Sequence, residues 1–180
     1  MRLNEICQLR TEDIVTVDGI LAFDLNDTGE KVLKNLTSSR IIPIHPDLIR
    51  IGFLDYVAVI REKGLPRLWM KLTRREDSYA KQFSSYFQRF NRKYITDNPR
   101  KVMHSFRHMF ANQLKQACVR TEIISELLGH THGSISIDRY GKPFDAKTLL
   151  GSMNALRFEI PTGQLVEAAK HILSQIGNTI

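Results

Sequence analysis

Residues 14–23 read Ile-Val-Thr-Val-Asp-Gly-Ile-Leu-Ala-Phe, which is two apolar runs joined by an Asp-Gly pair. Asp-Gly supplies the positive φ angles that a tight turn requires, and the β-branched residues before it favour extended backbone. The stretch therefore predicts a β-hairpin. We expect a third strand over residues 40–45, ending at Pro46.

Helical periodicity lies on both sides of this predicted sheet. Leu3, Ile6, Cys7 and Leu9 are spaced as on one short helix. Apolar residues recur at helical spacing in six later segments, mostly separated by proline, glycine or polar breaks: 47–62, 75–93, 105–116, 121–128, 146–156 and 164–176. The pattern predicts an α+β fold that is mostly helical, with one small antiparallel sheet near the N-terminus. Cys7 and Cys118 fall in apolar helical patterns and are expected to be buried free thiols.

The composition is ordinary for a compact chain, with 180 residues, 42% hydrophobic and 25% charged. Collagen, coiled coil and wholesale disorder are excluded. We expect one domain over residues 1–160 and a helical tail over residues 161–180, after a Pro-Thr-Gly break. No apolar run approaches the roughly 18 residues of a membrane span, and the chain opens without an apolar signal-peptide core. We therefore expect a cytoplasmic protein with no membrane partner.

Charge is distributed unevenly along the chain. The whole sequence has 26 Lys and Arg against 19 Asp and Glu, a formal net charge of +7. Residues 1–30 carry two basic and seven acidic side chains, whereas residues 61–107, the basic stretch, carry thirteen basic and four acidic. Aromatic residues are interleaved with these cations. The basic stretch is either a solvated helix face or a surface for an anionic partner such as nucleic acid.

Four segments contain residue types that suit chemistry on a phosphate. They are Arg2-Leu3-Asn4-Glu5, residues 34–43 (Lys-Asn-Leu-Thr-Ser-Ser-Arg-Ile-Ile-Pro), His104-Ser105-Phe106-Arg107-His108, and Leu128-Gly129-His130 with Tyr140 ten residues later. In this order the segments resemble the tyrosine recombinase (phage integrase) family. That family's signature is an arginine opening a helix with a glutamate three residues on, a hairpin lysine, His-x-x-Arg, Leu-Gly-His and a tyrosine about ten residues later.

The resemblance implies the fold of DNA breaking–rejoining enzymes and a site-specific recombinase that acts through a 3′-phosphotyrosine intermediate, without metal or other cofactor. Its implied partners are double-stranded DNA, three further copies in a tetramer on DNA, and accessory DNA-bending or directionality proteins. The family also has a DNA-binding domain ahead of the catalytic one, so full recombination by these 180 residues is not expected. The implied catalytic residues are Arg2, Lys34, His104, Arg107, His130 and, as nucleophile, Tyr140.

The chemistry of a phosphodiester explains the two arginines independently of the family. The ester is anionic, so a site that cleaves it without metal needs fixed cations for the oxygens that gain charge. Arg2 and Arg107 suit this role because a guanidinium fork matches two phosphate oxygens and stays protonated. The alternative for each is a surface ion pair, for which Glu5 is a ready partner of Arg2.

A phenol such as that of Tyr140 can attack phosphorus and keep the bond energy in a covalent link. It needs nearby cations or a base, because the ordinary pKa of tyrosine is about 10. His104 lies three residues before Arg107 and hence on the same helix face, where it takes the tyrosine proton or orients the phosphate. His130 donates a hydrogen bond to a phosphate oxygen. Read alone, Tyr140 is a half-buried anchor at a chain turn.

The leaving 5′ oxygen must be protonated, and the resemblance assigns that role to Lys34. Lys34 precedes Arg40 by six residues, as in the family pattern Lys-Thr-x-x-Ser-x-Arg, although Asn35 replaces the usual threonine. Lys31 is a rival candidate. The structural alternative for Lys34 is an exposed lysine that shields an edge strand.

Three other functions compete with this interpretation. A type IB topoisomerase uses a similar set of residues, and a helical DNA-binding module without catalysis would explain the charge alone. The third alternative is a metalloenzyme, because His104 and His108 stand four apart and His130 and His132 follow. No glutamate adjoins the first histidine and no cysteine or carboxylate clusters with it, so we predict no metal site.

Overall fold

The computed structural model describes five ranges of the chain: 1–35, 38–76, 78–130, 142–159 and 161–178. Within them the chain forms eight α-helices and a three-stranded antiparallel sheet, which confirms the predicted α+β fold. The strands are β1 (Ile14–Val17), β2 (Ile20–Leu25) and β3 (Arg40–Pro43). The helices are α1 (Leu3–Cys7), α2 (Pro46–Arg50), α3 (Phe53–Glu62), α4 (Ala80–Tyr94), α5 (Met103–Gln116), α6 (Thr121–Leu128), α7 (Ala146–Met153) and α8 (Thr162–Asn178).

The first two strands form the predicted hairpin. Asp18 (φ 50°) and Gly19 (φ 77°) both adopt positive φ, as a two-residue hairpin turn requires. Ile14 pairs with Phe23 across β1 and β2, and Phe23 pairs with Ile42 across β2 and β3. The strand order is therefore β1-β2-β3, with β2 in the centre.

The third strand is two residues shorter than predicted. Ile44 still donates its N–H to the Leu21 carbonyl (2.8 Å), but His45 instead caps α2, where its Nδ1 accepts the N–H of Asp47 (3.2 Å). Pro46 then takes the first helical position, where a missing N–H removes no helical hydrogen bond.

The hydrophobic core lies between the sheet and the helices that carry the histidine and arginine motifs. α6 and α7 contact β3, and α5 contacts α6. Large apolar side chains from each of these elements are almost completely buried: Leu25, Ile42, Leu114, Ile123, Leu127, Leu149 and Met153. Burial of this apolar surface fixes the ends of α5 and α6 relative to the sheet.

The predicted single helix over residues 47–62 is wrong, because the chain forms two helices there. Gly52 has φ 88°, a left-handed conformation that interrupts a right-handed helix and that glycine adopts without a Cβ clash. α2 therefore ends at Arg50, and α3 begins at Phe53.

The helix predicted over residues 75–93 begins five residues late, at Ala80. Arg75 and Ser78 instead exchange main-chain hydrogen bonds of 3.0 and 3.2 Å, which closes a turn. Ser78 then accepts the Ala80 N–H through its Oγ (3.1 Å) and so supports the start of α4.

One of the two cysteine predictions is also wrong. Both cysteines are free and Cys7 is buried, which raises the pKa of its thiol to about 11. Cys118, by contrast, is exposed. It lies just beyond the end of α5 with φ 57°, in the turn that redirects the chain toward α6, so the helical periodicity does not continue through it.

The C-terminal helix α8 packs on α2 and α3 of its own chain. Ala169, Leu173 and Ile176 are half-buried, whereas Leu165 and Ile172 remain exposed. All five belong to the apolar stripe of the helical pattern predicted over residues 164–176. An apolar cleft of about 720 Å³ is lined by residues of α3, of the segment that follows α3 and of α8. No helix in the described ranges is long and apolar enough to cross a membrane.

Candidate active site

The position of Arg2 depends on α1, which is attached to two other parts of the chain. The indole Nε1 of Trp69 donates to the Ile6 carbonyl at 2.6 Å. The Asn4 side-chain oxygen accepts the N–H of Tyr79 at the start of α4 (3.0 Å). Both ends of this short helix are thus fixed by side-chain to main-chain bonds, which compensates for its low intrinsic stability.

Arg2 connects three segments of the site. Its main-chain N–H donates to Glu5 Oε2 (2.6 Å), and its Nη1 donates to Glu5 Oε1 (2.9 Å) and to Ser38 Oγ (2.8 Å). Its Nη2 donates to the Gly129 carbonyl (2.7 Å). The start of α1 is thereby joined to the residues before β3 and to the turn after α6.

Arg107 and His130 meet at the same place from α5 and from the turn after α6. Nη2 of Arg107 donates to the Leu128 carbonyl and lies 2.9 Å from Nε2 of His130. A guanidinium only donates, so Nε2 of His130 accepts and the proton of the neutral ring lies on Nδ1. Nη1 of Arg107 is buried and has no hydrogen-bond partner among the described residues.

Positive charge exceeds negative charge at this site. Glu5 is the carboxylate that both Arg2 and Arg40 contact, and Arg107 contacts no carboxylate in the described part of the chain. Desolvation by burial, together with the charges of Arg2 and Arg40, lowers the pKa of Arg107 to about 10, so it remains protonated at neutral pH. Partial desolvation, followed by the charge of Arg107, lowers the pKa of His130. An anion would relieve both effects.

His104 lies one helical turn before Arg107 and is exposed. Its ring meets that of His108 edge to face, with centroids 4.8 Å apart. Partial desolvation, then the charges of His108, Arg107 and Arg2, lower the pKa of His104. The ring is therefore neutral at pH 7, the form in which it can accept a proton.

The two candidate lysines lie in different surroundings. Lys31 is buried, and its Nζ forms an ion pair of 2.5 Å with Asp13, whose side chain is 2% exposed. Lys34 is exposed in the connection between β2 and β3. Its charge contributes to lowering the pKa of His130, so Lys34 is electrostatically connected to the cluster.

Tyr140 and His132 lie outside the described residues. The chain beyond them is tied to α6, because the Phe144 N–H donates to both carboxylate oxygens of Glu126 (3.1 and 3.2 Å). Within the described residues, no three His, Cys, Asp or Glu side chains come together in a way that could hold a metal ion.

Two residues at the site were missed by sequence reasoning. Ser38 is fully buried and accepts from Arg2, and Arg40 has a side chain only 4% exposed that contacts Glu5. From the sequence, Arg40 was recognised only as the residue six positions after Lys34. The available signal was its place at the start of an apolar strand, where a charge has to find a partner.

Most of the cations in the basic stretch are exposed, and several of them lie on α4. Ten of its thirteen basic side chains are exposed: Arg61, Lys71, Arg74, Arg75, Lys81, Arg89, Arg92, Lys93, Arg100 and Lys101. Aromatic rings follow one another along α4, with centroids 6.3 Å apart for Tyr86 and Phe90 and 5.1 Å for Phe90 and Tyr94. Exposed cations beside exposed aromatic rings suit a nucleic acid.

Guanidinium groups, imidazoles and an excess of positive charge are a combination that suits a phosphate ester. The sequence matches the model of the phage integrase family over residues 1–147. The chain therefore belongs to this family, whose members are site-specific tyrosine recombinases that bind DNA. No curated protein and no solved structure matches it.

Proposed function

We propose that this chain is the catalytic domain of a site-specific recombinase that cleaves and rejoins duplex DNA through a covalent 3′-phosphotyrosine intermediate, without a metal ion. The observation that carries the proposal is Nη1 of Arg107, a buried donor without an acceptor among the described residues. A buried cationic donor without an acceptor is unfavourable. A phosphate oxygen supplies the acceptor and the negative charge together.

In the proposed cleavage step, the Tyr140 oxygen attacks the scissile phosphorus and the bond from phosphorus to the 5′ oxygen breaks. The DNA 3′-phosphate becomes joined to the tyrosine. His104 takes the tyrosine proton, and Lys34 gives a proton to the leaving 5′ oxygen. The reverse steps with a second 5′-hydroxyl rejoin the strand, so no net oxidation, reduction or nucleotide hydrolysis is required.

Arg2, Arg107 and His130 stabilise the phosphate during this step. The two arginines face oxygens that gain negative charge, and Nδ1–H of His130 is free to donate because its Nε2 accepts from Arg107. The fixed backbone contacts of both guanidinium groups keep these donors oriented before DNA arrives.

Lys34 is the better-supported general acid of the two lysines. The ion pair with Asp13 holds Lys31 in the interior, and moving its ammonium to a DNA strand would leave a buried carboxylate unpaired. Lys34 has no such constraint, since it is exposed. After desolvation and the charges of three arginines, its charge also lowers the pKa of His130.

The proposed partners are duplex DNA, bound through the basic stretch, and further copies of the protein in a tetramer on that DNA. The exposed cations of the basic stretch would contact phosphates and release counterions. We assign residues 1–160 to the catalytic unit and residues 161–180 to a tail with a role in assembly. Accessory DNA-bending proteins and a further DNA-binding domain in the parent protein complete the proposed system.

A covalent-trapping experiment on duplexes of random sequence tests this function. Duplexes with a nick and a randomised sequence around it are incubated with the chain in EDTA, and SDS-resistant adducts are isolated and sequenced. A recombinase yields adducts enriched in one sequence and labelled at the DNA 3′-phosphate. Adducts without sequence preference indicate a topoisomerase-like enzyme, and the absence of adducts with retained binding indicates a DNA-binding module.

A further inference from the structure

Arg40 lies behind the phosphate site, at the first position of β3, with a side chain only 4% exposed. Its guanidinium faces both oxygens of the Glu5 carboxylate, with Nη1 3.3 Å from Oε1 and Nη2 2.9 Å from Oε2. The same carboxylate receives Nη1 of Arg2. Arg40 thus fixes the group that orients Arg2, and its own side chain is almost fully buried.

The same guanidinium also bonds the end of α6 and the stretch of chain directly before β3. Its Nε donates to the Leu127 carbonyl (3.2 Å), and its Nη1 donates to the Ser38 carbonyl (2.6 Å). Leu127 is in the last turn of α6, directly before the turn that contains His130. Ser38 accepts the second bond of Arg2 Nη1.

The glycine of the Leu-Gly-His turn is in direct contact with this group. A Cβ on Gly129 would lie 2.6 Å from Nη1 and 2.8 Å from Cζ of Arg40, and Gly129 has φ 65°. Glycine is thus required for two independent reasons, the left-handed backbone and the close approach of Arg40. The Gly129 carbonyl accepts Nη2 of Arg2, so the packed surface and the phosphate site are two sides of one turn.

We infer that Arg40 is a positioning residue for the proposed cleavage reaction, which holds Arg2 and the His130 turn in one geometry by clamping Glu5, Leu127 and Gly129. The inference rests on the proposed function, because the placement of Arg2 and of the His130 turn affects activity only if a reaction takes place at this site. Three segments that are far apart in sequence meet on one guanidinium. Lysine in its place keeps the charge but cannot form the fork with Glu5 and the carbonyl bonds at once.

Arg40→Lys is the primary variant. We expect single-turnover cleavage of a trapped duplex to slow by between about tenfold and a hundredfold, with DNA affinity nearly unchanged, because misplaced donors act on the chemical step. Combining Arg40→Lys with Glu5→Gln is expected to slow cleavage by less than the product of the two single effects, because the part of each effect that acts on Arg2 passes through the same contact. Independent effects would multiply, and that result would overturn the inference.

A second measurement is independent of cleavage. The N–H groups of Gly129 and His130 bond the Glu126 and Ser125 carbonyls at 2.9 Å each, and we expect their hydrogen exchange to speed up by about tenfold in Arg40→Lys. Ile60→Val and Ile60→Ala, at a completely buried position on α3, provide controls that lower stability without touching the site. The inference is overturned if the Ile60 variants slow cleavage and speed up exchange of these two amides as much as Arg40→Lys does. Arg40 would then have only a general structural role.

If Arg40→Lys does not fold, Gly129→Ala serves as the second variant, since its Cβ displaces the guanidinium without removing it. Slower cleavage and faster exchange of the His130 amide are then expected, and unchanged values for both would contradict the inference. Failure of the proposed function looks different. In that case no variant, including the unmodified chain, forms an adduct, while local exchange still responds to Arg40→Lys.

Discussion

The Arg107 side chain affects both the stability of the fold and the proposed chemistry on phosphate. Its Nη2 is occupied by the Leu128 carbonyl and by His130, which fixes the direction of the fork, and its Nη1 remains without an acceptor among the described residues. Leaving a buried cationic donor unpaired lowers stability. Such a residue is expected at a binding site, where the ligand completes the hydrogen bonds that the protein leaves open.

The first prediction concerns the fork of this arginine. Arg107→Lys keeps a positive charge but loses one arm, so cleavage is expected to slow roughly a hundredfold or more, while DNA binding changes little. Single-turnover cleavage of a nicked duplex measures the effect. Arg157→Lys is the matched control, because Arg157 also donates to main-chain carbonyls but is exposed and away from the cluster. Near-normal cleavage by Arg107→Lys would make Arg107 an ordinary structural arginine.

A second prediction separates the two lysines by the chemistry of the leaving group. A bridging 5′ sulfur leaves as a thiolate without a proton, so this substrate is expected to restore cleavage by Lys34→Ala. Lys31→Ala is expected instead to lower the melting temperature, because it leaves Asp13 buried and unpaired. Restoration of cleavage by sulfur in Lys31→Ala, and not in Lys34→Ala, would transfer the acid role to Lys31.

Local spacing was enough to predict some of these residues and not others. Arg2 with Glu5, and His104 with Arg107, each lie three residues apart, and helical geometry alone brings such pairs to one face. The bond from Arg40 to Glu5 joins residues 35 positions apart, and it forms only because the tertiary fold brings the two side chains together. Lys31 is likewise buried by tertiary packing, which the spacing of residues along the sequence does not reveal.

At the scale of elements, strong local signals were the ones that succeeded. Asp18-Gly19 fixed the hairpin because both residues take the backbone conformation that the turn needs. The break between α2 and α3 was missed because apolar periodicity continues across Gly52, and glycine within a helical pattern does not by itself specify a left-handed backbone. The start of α4 was missed because the turn at Arg75 and Ser78 depends on paired main-chain bonds.

The helix break supplies a third prediction with an internal control. Gly52→Ala is expected to destabilise the fold by about 1–2 kcal/mol, since alanine at φ 88° is strained although its Cβ has space. Gly151→Ala, within α7 and with nothing within 4 Å of its Cβ, is expected to stabilise by about 0.4–1 kcal/mol. Chemical denaturation of both variants measures the difference. Equal effects of the two substitutions would show that Gly52 does not require its left-handed conformation.

At the scale of the whole molecule, α8 is loosely packed on the rest of the described chain. None of its residues with described side chains is buried, and it contacts only α2 and α3 among the elements with extensive contacts. Its apolar stripe was predicted from sequence, but where the stripe packs depends on partners that periodicity does not identify. The structure docks the helix on its own chain and leaves part of the stripe open.

This loose docking leads to a fourth prediction. Deletion of residues 161–180 is expected to leave a cooperative thermal transition, because none of the deleted side chains that the structure describes is buried. In the parent protein the same deletion is expected to weaken association of protomers on DNA and to alter cleavage, as proposed for a tail with a role in assembly. Calorimetry and gel-shift analysis measure the two effects. Loss of the cooperative transition would instead show that α8 belongs to the core of the domain.

The most direct test of tyrosine-mediated cleavage is mass-spectrometric identification of the residue that is joined to DNA in the trapped adduct. Peptides from adducts formed in EDTA by the unmodified chain are expected to carry a nucleotide 3′-phosphate on Tyr140, and Tyr140→Phe is expected to bind DNA without forming an adduct. A phosphate link to another residue, or an SDS-resistant adduct that persists in Tyr140→Phe, would contradict the proposed mechanism.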